Sequence, residues 1–230
     1  MMKTMLKKIL LLLCVFFSSL ALNAADELDN YTHLLDRAES GFWRAVFARS
    51  SSALLKNYFT ILNNLDNSSR KIYEMRRKNG SITNYGDLAR PGILLKTLVN
   101  HQQNFSRSTN TTVRDKKTTL TEYNKVVRQE NGKRIKAVGI ESISLEKYTK
   151  FLKEIKDSNI EMLDNKLKIS SSSSSNHSGL NRHQKNAIIE IANQYYTIII
   201  DARLTIAKMR QLDPMFKRKP AEETTTRRGK

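Results

Sequence analysis

From residue 26 onward, apolar side chains return every three or four positions along most of the chain, the spacing of one face of a helix. Leu28, Tyr31, Leu35, Ala38, Phe42 and Val46 form the first such stripe, and Leu34, Trp43 and Phe47 widen it. Asp26 stands where an N-cap or first-turn acid belongs. The run Ser50-Ser51-Ser52 is a candidate break. Beyond it Leu54, Leu55, Tyr58, Phe59, Leu62, Leu65, Ile72 and Met75 carry the pattern to Asn79-Gly80, a helix stop. The spacing predicts helix throughout 26–78 but leaves open whether it is one helix or two, with Asp66-Asn67-Ser68 a second candidate interruption.

Residues 79–92 read as a connector, with Gly80, Gly86, Pro91 and Gly92. A helix is expected from Pro91 to about Phe105, since proline suits a first turn. Residues 106–117 are polar and read as a mobile loop. A further helix is expected from Leu120 to Glu130, ended by Asn131-Gly132. In Lys133–Ile143, Arg134 and Lys136 alternate with Ile135 and Ala137, which predicts an extended connector or small hairpin. Ser144 caps the next expected helix, Leu145 to about Lys168.

A serine-rich stretch, 170–179, reads as a flexible linker. The last expected helix runs from Arg182 to Leu212 and stops at Asp213-Pro214. Its window Ala187–Ile206 holds seven isoleucines. Each favours membrane insertion by only about 0.5 kcal/mol, whereas Asp201 and Arg203 each oppose it by up to about 3 kcal/mol, so a buried bundle helix is expected. Residues 214–230 read as a disordered basic tail. The fold expectation is all-α: an elongated helical bundle over 25–213, with 26–78 and 182–212 as long antiparallel helices.

The first 24 residues follow a different pattern, the three parts of a secretory signal peptide. Lys3, Lys7 and Lys8 form the positive region. Ile9 to Leu22 form an apolar core of about 14 residues, short of the roughly 20 that span a bilayer. Cleavage is expected between Ala24 and Ala25, after Leu22-Asn23-Ala24, with Asn23-Ala24-Ala25 a second register one residue later. Cys14, the single cysteine, lies inside the apolar core behind Leu13 rather than behind the small residue a lipidation site carries. The processed chain would then hold no cysteine and no disulfide, which favours a bacterial origin and a periplasmic or secreted location.

Removing residues 1–24 takes three lysines and no acids from a net charge of +18, leaving +15. Such a surplus suits anionic company: an acidic protein face, an anionic membrane surface or nucleic acid. The sharpest cationic cluster is the tail, where Lys217, Arg218, Lys219, Arg227, Arg228 and Lys230 outnumber Glu222 and Glu223. These six are the candidate partner-binding residues.

Catalytic patterns do not emerge. The histidines His33, His101, His177 and His183 lack the cysteine or carboxylate neighbours of a metal site. The eight glycines form no Gly-x-Gly phosphate loop, and no Gly-x-Ser-x-Gly elbow occurs. Acids and lysines alternate on helix faces, as in Glu146, Lys147, Lys150 and Glu154, a spacing for helical ion pairs. No cofactor is expected. The expected function is therefore non-enzymatic: an exported helical binding or structural protein of the bacterial envelope, such as an accessory subunit of a secretion or conjugation apparatus. The alternative is a secreted effector or adhesion protein of a host-associated bacterium. A protein partner, including a second copy of the chain, is expected ahead of an anionic membrane, and nucleic acid comes last.

Overall fold

The computed structural model describes residues 2–78, 88–107, 113–139, 143–172 and 181–217, with side chains from residue 24 onward except 103–119 and 170–172. Among the described residues the fold is all-α, with no strand. Six helices follow in order: α1 Met2–Val46, α2 Ala53–Lys78, α3 Arg90–Arg107, α4 Val113–Val138, α5 Leu145–Ser172 and α6 Arg182–Leu212. A 3-10 turn, Pro214–Phe216, closes the described chain.

The candidate break at the serines falls between α1 and α2, so 26–78 is two helices. Ser52 caps the second helix: its Oγ accepts from the Leu55 N–H at 3.2 Å, which satisfies a backbone donor that has no partner within the helix. Asp66-Asn67-Ser68 is no interruption, because Ser68 is buried against α1 and donates to the Glu27 carboxylate at 2.6 Å. Lys71 also reaches Glu27, at 3.6 Å, while Gly41 lies close to the Tyr58 ring at the other end. Position 27 thus faces 68–71 and position 41 faces 58, so α1 and α2 are antiparallel.

The same test orders the remaining pairs. Gly92 lies over the Leu62 carbonyl and Lys96 over the Phe59 ring, which makes α3 antiparallel to α2. Tyr123 bonds the Asn159 carbonyl and Arg134 sits over the Phe151 ring, making α5 antiparallel to α4. Lys156 meets Thr197, and Ile143 meets Gln211, so α6 returns along α5.

Of the stretch 26–78 expected to pair with the last helix, the part in α1 does so, antiparallel to α6. The Phe42 and Tyr195 rings stack at 4.1 Å, and the Tyr195 hydroxyl donates to the Glu39 carbonyl at 3.0 Å. Further along, Arg203 bridges Asp36 and Glu39, and Arg210 meets Asp29 at 2.7 Å. Burial opposes the Arg203 charge, yet Glu39 and Asp36 outweigh it and hold the guanidinium above its usual value. Phe42 and Trp43 are both fully buried here, in the core role that their helical spacing predicted.

Several boundaries differ from the sequence expectation. The helix around Asp26 is continuous from Met2, so Asp26 is not an N-cap in the full chain. Helix α4 begins at Val113, inside the stretch expected as a loop, and runs through Asn131-Gly132 to Val138. Glycine and asparagine together cost a helix interior under 2 kcal/mol. Against that, Leu120, Tyr123, Val127 and Asn131 are buried and Ile135 and Val138 half-buried, one stripe at three- and four-residue steps. Packing outweighs the local stop signal, and Lys133–Val138 is helix rather than a hairpin. The terminator is Gly139, whose φ of 57° is the left-handed conformation of a helix C-terminus.

Ser144 caps α5 as expected, its Oγ accepting from Lys147 N–H at 3.3 Å, but the helix continues to Ser172 and so takes the first residues of the 170–179 linker. The rest of that linker lies outside the described residues. Helix α6 has the expected bounds, with Asn181 and Gln184 forming a reciprocal capping box. Pro214–Phe216, expected in the tail, instead belongs to the body: Phe216 is 1% exposed and packs in the core cluster with α1.

Candidate functional site

Helix α4 lies against α1 through a polar contact, the Asn124 side-chain amide donating to the Ser40 carbonyl at 3.2 Å. The apolar stripe of α4 turns inward, which leaves the adjoining stripe, at three- and four-residue steps, along the seam with α1. That stripe is Thr121, Asn124, Lys125, Arg128, Gln129, Gly132 and Lys136, with Lys133 beside it. Ser40 and Arg44 of α1 form the opposite wall of an open groove of about 560 Å³.

Five of the ten lining residues are Arg44, Lys125, Arg128, Lys133 and Lys136, and none of the ten is acidic. Lys133 pairs with Glu130 at 2.9 Å, a solvated contact that leaves most of both side chains exposed. Among the described residues no salt bridge ties Arg44, Lys125, Arg128 or Lys136 to a carboxylate. Like charges three or four residues apart cost a helix roughly 0.2–0.5 kcal/mol per pair. Lys125 with Arg128, and Lys133 with Lys136, are two such pairs. An anion entering the groove relieves that repulsion; the Ser40 hydroxyl already donates to the Arg37 carbonyl and the Asn124 amide to the Ser40 carbonyl, so the cations are its main partners.

Two further depressions carry basic residues, and only the first adjoins the groove. One, between α4 and α5, shares Lys125 and Gln129 with the groove and adds Glu122, Lys166 and the half-exposed Val126. The other lies apart from the groove on the last turns of α2, where Tyr73, 65% exposed, stands among Arg70, Glu74, Arg77 and Lys78.

Of the candidate partner-binding residues, Lys217 is exposed directly after the buried Phe216. Arg218, Lys219, Arg227, Arg228 and Lys230 lie outside the described residues. Lys217 does not join the groove: α6 ends beside Asp29, fifteen residues along α1 from Arg44, roughly 22 Å of helix. The expected cleavage junction, Ala24-Ala25, lies within α1, with Ala24 buried. His33, His101 and His183 are exposed and lie on different helices, and His177 is outside the described residues. Among the described residues no three His, Cys, Asp or Glu side chains converge as a metal site would require. None of their helices is long and apolar enough to cross a membrane.

Sequence reasoning passed over the groove residues. Their signal was present as a polar stripe at Lys125, Arg128, Gly132 and Lys136, but taking Asn131-Gly132 as a stop cut it in two. Comparison with protein-family models, curated proteins and solved structures finds no match to this chain.

Proposed function

We propose that this is an exported, non-enzymatic helical binding protein of the bacterial envelope, acting as an accessory subunit of a larger apparatus such as one for secretion or conjugation. The observation that carries the binding role is the α1–α4 groove, with its five cations and no lining carboxylate. Its hydroxyls, Ser40 and Thr121, have no histidine or carboxylate among the lining residues to take a proton, which favours holding an anion over transforming one. Export is supported by the layout of Lys3, Lys7 and Lys8, the apolar run Ile9 to Leu22, and Ala24-Ala25. A periplasmic or released location follows from the same layout.

Fractionation of the source cells tests this reading, together with deletion of the coding sequence. The protein is expected in the periplasmic or secreted fraction, and its loss is expected to impair envelope assembly or secretion. Confinement to the cytoplasm, or unchanged assembly and secretion, contradicts it. The alternative role, a secreted effector or adhesion protein, is favoured by the basic tail that begins at exposed Lys217. Recovery of the protein on or inside host cells distinguishes the two.

A further inference from the structure

The α1–α4 groove has a shape as well as a sign, and together they narrow its occupant. We infer that it is the docking site for an acidic helical segment of a partner protein, lying along α4 with its carboxylates against Arg44, Lys125, Arg128 and Lys136. This rests on the proposed binding role and names the chemistry of the partner.

Three features favour that occupant. The stripe from Thr121 to Lys136 is roughly 22 Å long, about four turns of helix, and its cations recur at the steps at which a facing helix presents acids. Gly132 lines the groove, and a Cβ built there would meet nothing within 4 Å. No neighbour in the chain calls for a glycine at that point. Its bare backbone lets a second helix approach closely, as a larger residue would not. The groove is also concave, walled by Ser40 and Arg44 on one side and by α4 on the other.

The competing occupants fit less well. A flat membrane surface does not reach into a channel between two helices. The ten lining residues include no aromatic ring on which a base would stack. A second copy of the processed chain brings the same net charge of +15 (+18 less the three lysines of residues 1–24) and repels this surface.

The test is fluorescence anisotropy with the purified protein in the form its source cells accumulate. The probes are a capped, glutamate-rich helical peptide of about 20 residues, long enough to hold a helix, a single-stranded DNA oligonucleotide and phosphatidylglycerol vesicles. The double variant Lys125→Glu/Arg128→Glu is compared with Arg77→Glu/Lys78→Glu, an equal charge change at exposed positions on α2.

The peptide is expected to bind, and the groove variant to weaken it on the order of tenfold while the α2 variant changes it little. Gly132→Leu, which keeps every charge, is expected to weaken it as strongly without lowering the thermal midpoint. Equal losses from both charge variants would reduce the effect to net charge and overturn the proposal. So would unchanged binding in Gly132→Leu, tighter binding of DNA or vesicles at the groove, or no peptide binding. Failure here with the protein found in the envelope removes the acidic helix and keeps the export reading. Peptide binding by a cytoplasmic protein does the reverse.

Discussion

The Asn124 side-chain amide donates to the backbone carbonyl of Ser40 across the α1–α4 seam, at 3.2 Å. This bond joins residues 84 positions apart, both of which line the groove together with Arg44 and Arg128. Asn124→Ala removes it and leaves a carbonyl with one partner fewer. The expected cost is about 1 kcal/mol, read from the urea midpoint. An unchanged midpoint would show that the apolar face of α4 alone holds the seam.

Arg203 holds α6 to α1 through Asp36 and Glu39, with only 13% of its side chain exposed. Arg203→Met leaves two acids facing the interface without their cation. Full burial of such a remnant costs about 3–5 kcal/mol; Asp36 is half-exposed, so about 2 kcal/mol is expected here. The solvated partner of Glu27, Lys71, is a control: Lys71→Met is expected to cost less than about 0.5 kcal/mol. Paired denaturation curves check both, and similar costs would contradict the ranking.

Five buried tyrosines predict a steep alkaline limit. Burial raises the hydroxyls of Tyr58, Tyr123, Tyr148, Tyr195 and Tyr196 above the usual value near 10. The folded chain therefore keeps protons that the unfolded chain releases above pH 10. Their contribution is fully present below that pH and is lost as pH rises through the folded-state values. Each adds a slope of about −1.4 kcal/mol per pH unit. Tyrosinate absorbance at these residues is expected to appear together with loss of helical dichroism. A gradual ionisation with the helices intact would refute it.

Gly132 has a separate consequence for stability. It is helical and exposed, and an added methyl would meet open space. Gly132→Ala is therefore expected to raise stability by about 0.5–1 kcal/mol, measured as a higher thermal midpoint. A lower midpoint would mean that the backbone there depends on glycine.

How much of this was legible in the sequence depends on the range of the interaction concerned. The stripes through Leu28–Val46 and Ile188–Met209 are short-range patterns, and α6 and the part of α1 from residue 26 were read from them, with Ser50-Ser51-Ser52 a candidate break. Asn131-Gly132 is a strong local stop signal, yet Asn131 is buried in the inward stripe of α4, which packs on α1 and α5, and that packing overrides it. Phe216 lies beyond Asp213-Pro214 and was read with the tail, because one aromatic after a proline gives no period. The groove depends on Arg44 meeting α4, a relationship that no single-helix pattern contains.

Phe216 gives a direct check of where the body ends. Phe216→Ala removes a fully buried ring and is expected to cost about 3 kcal/mol. A cost below about 0.5 kcal/mol, the range of surface substitutions, would return residues 214–216 to the tail.

The proposed role stands on export, and N-terminal sequencing of the protein accumulated by its source cells addresses that most directly. The expected first residue is Ala25, in protein recovered from the periplasm or the medium. A chain that still begins at Met1 in the cytoplasm would contradict the account.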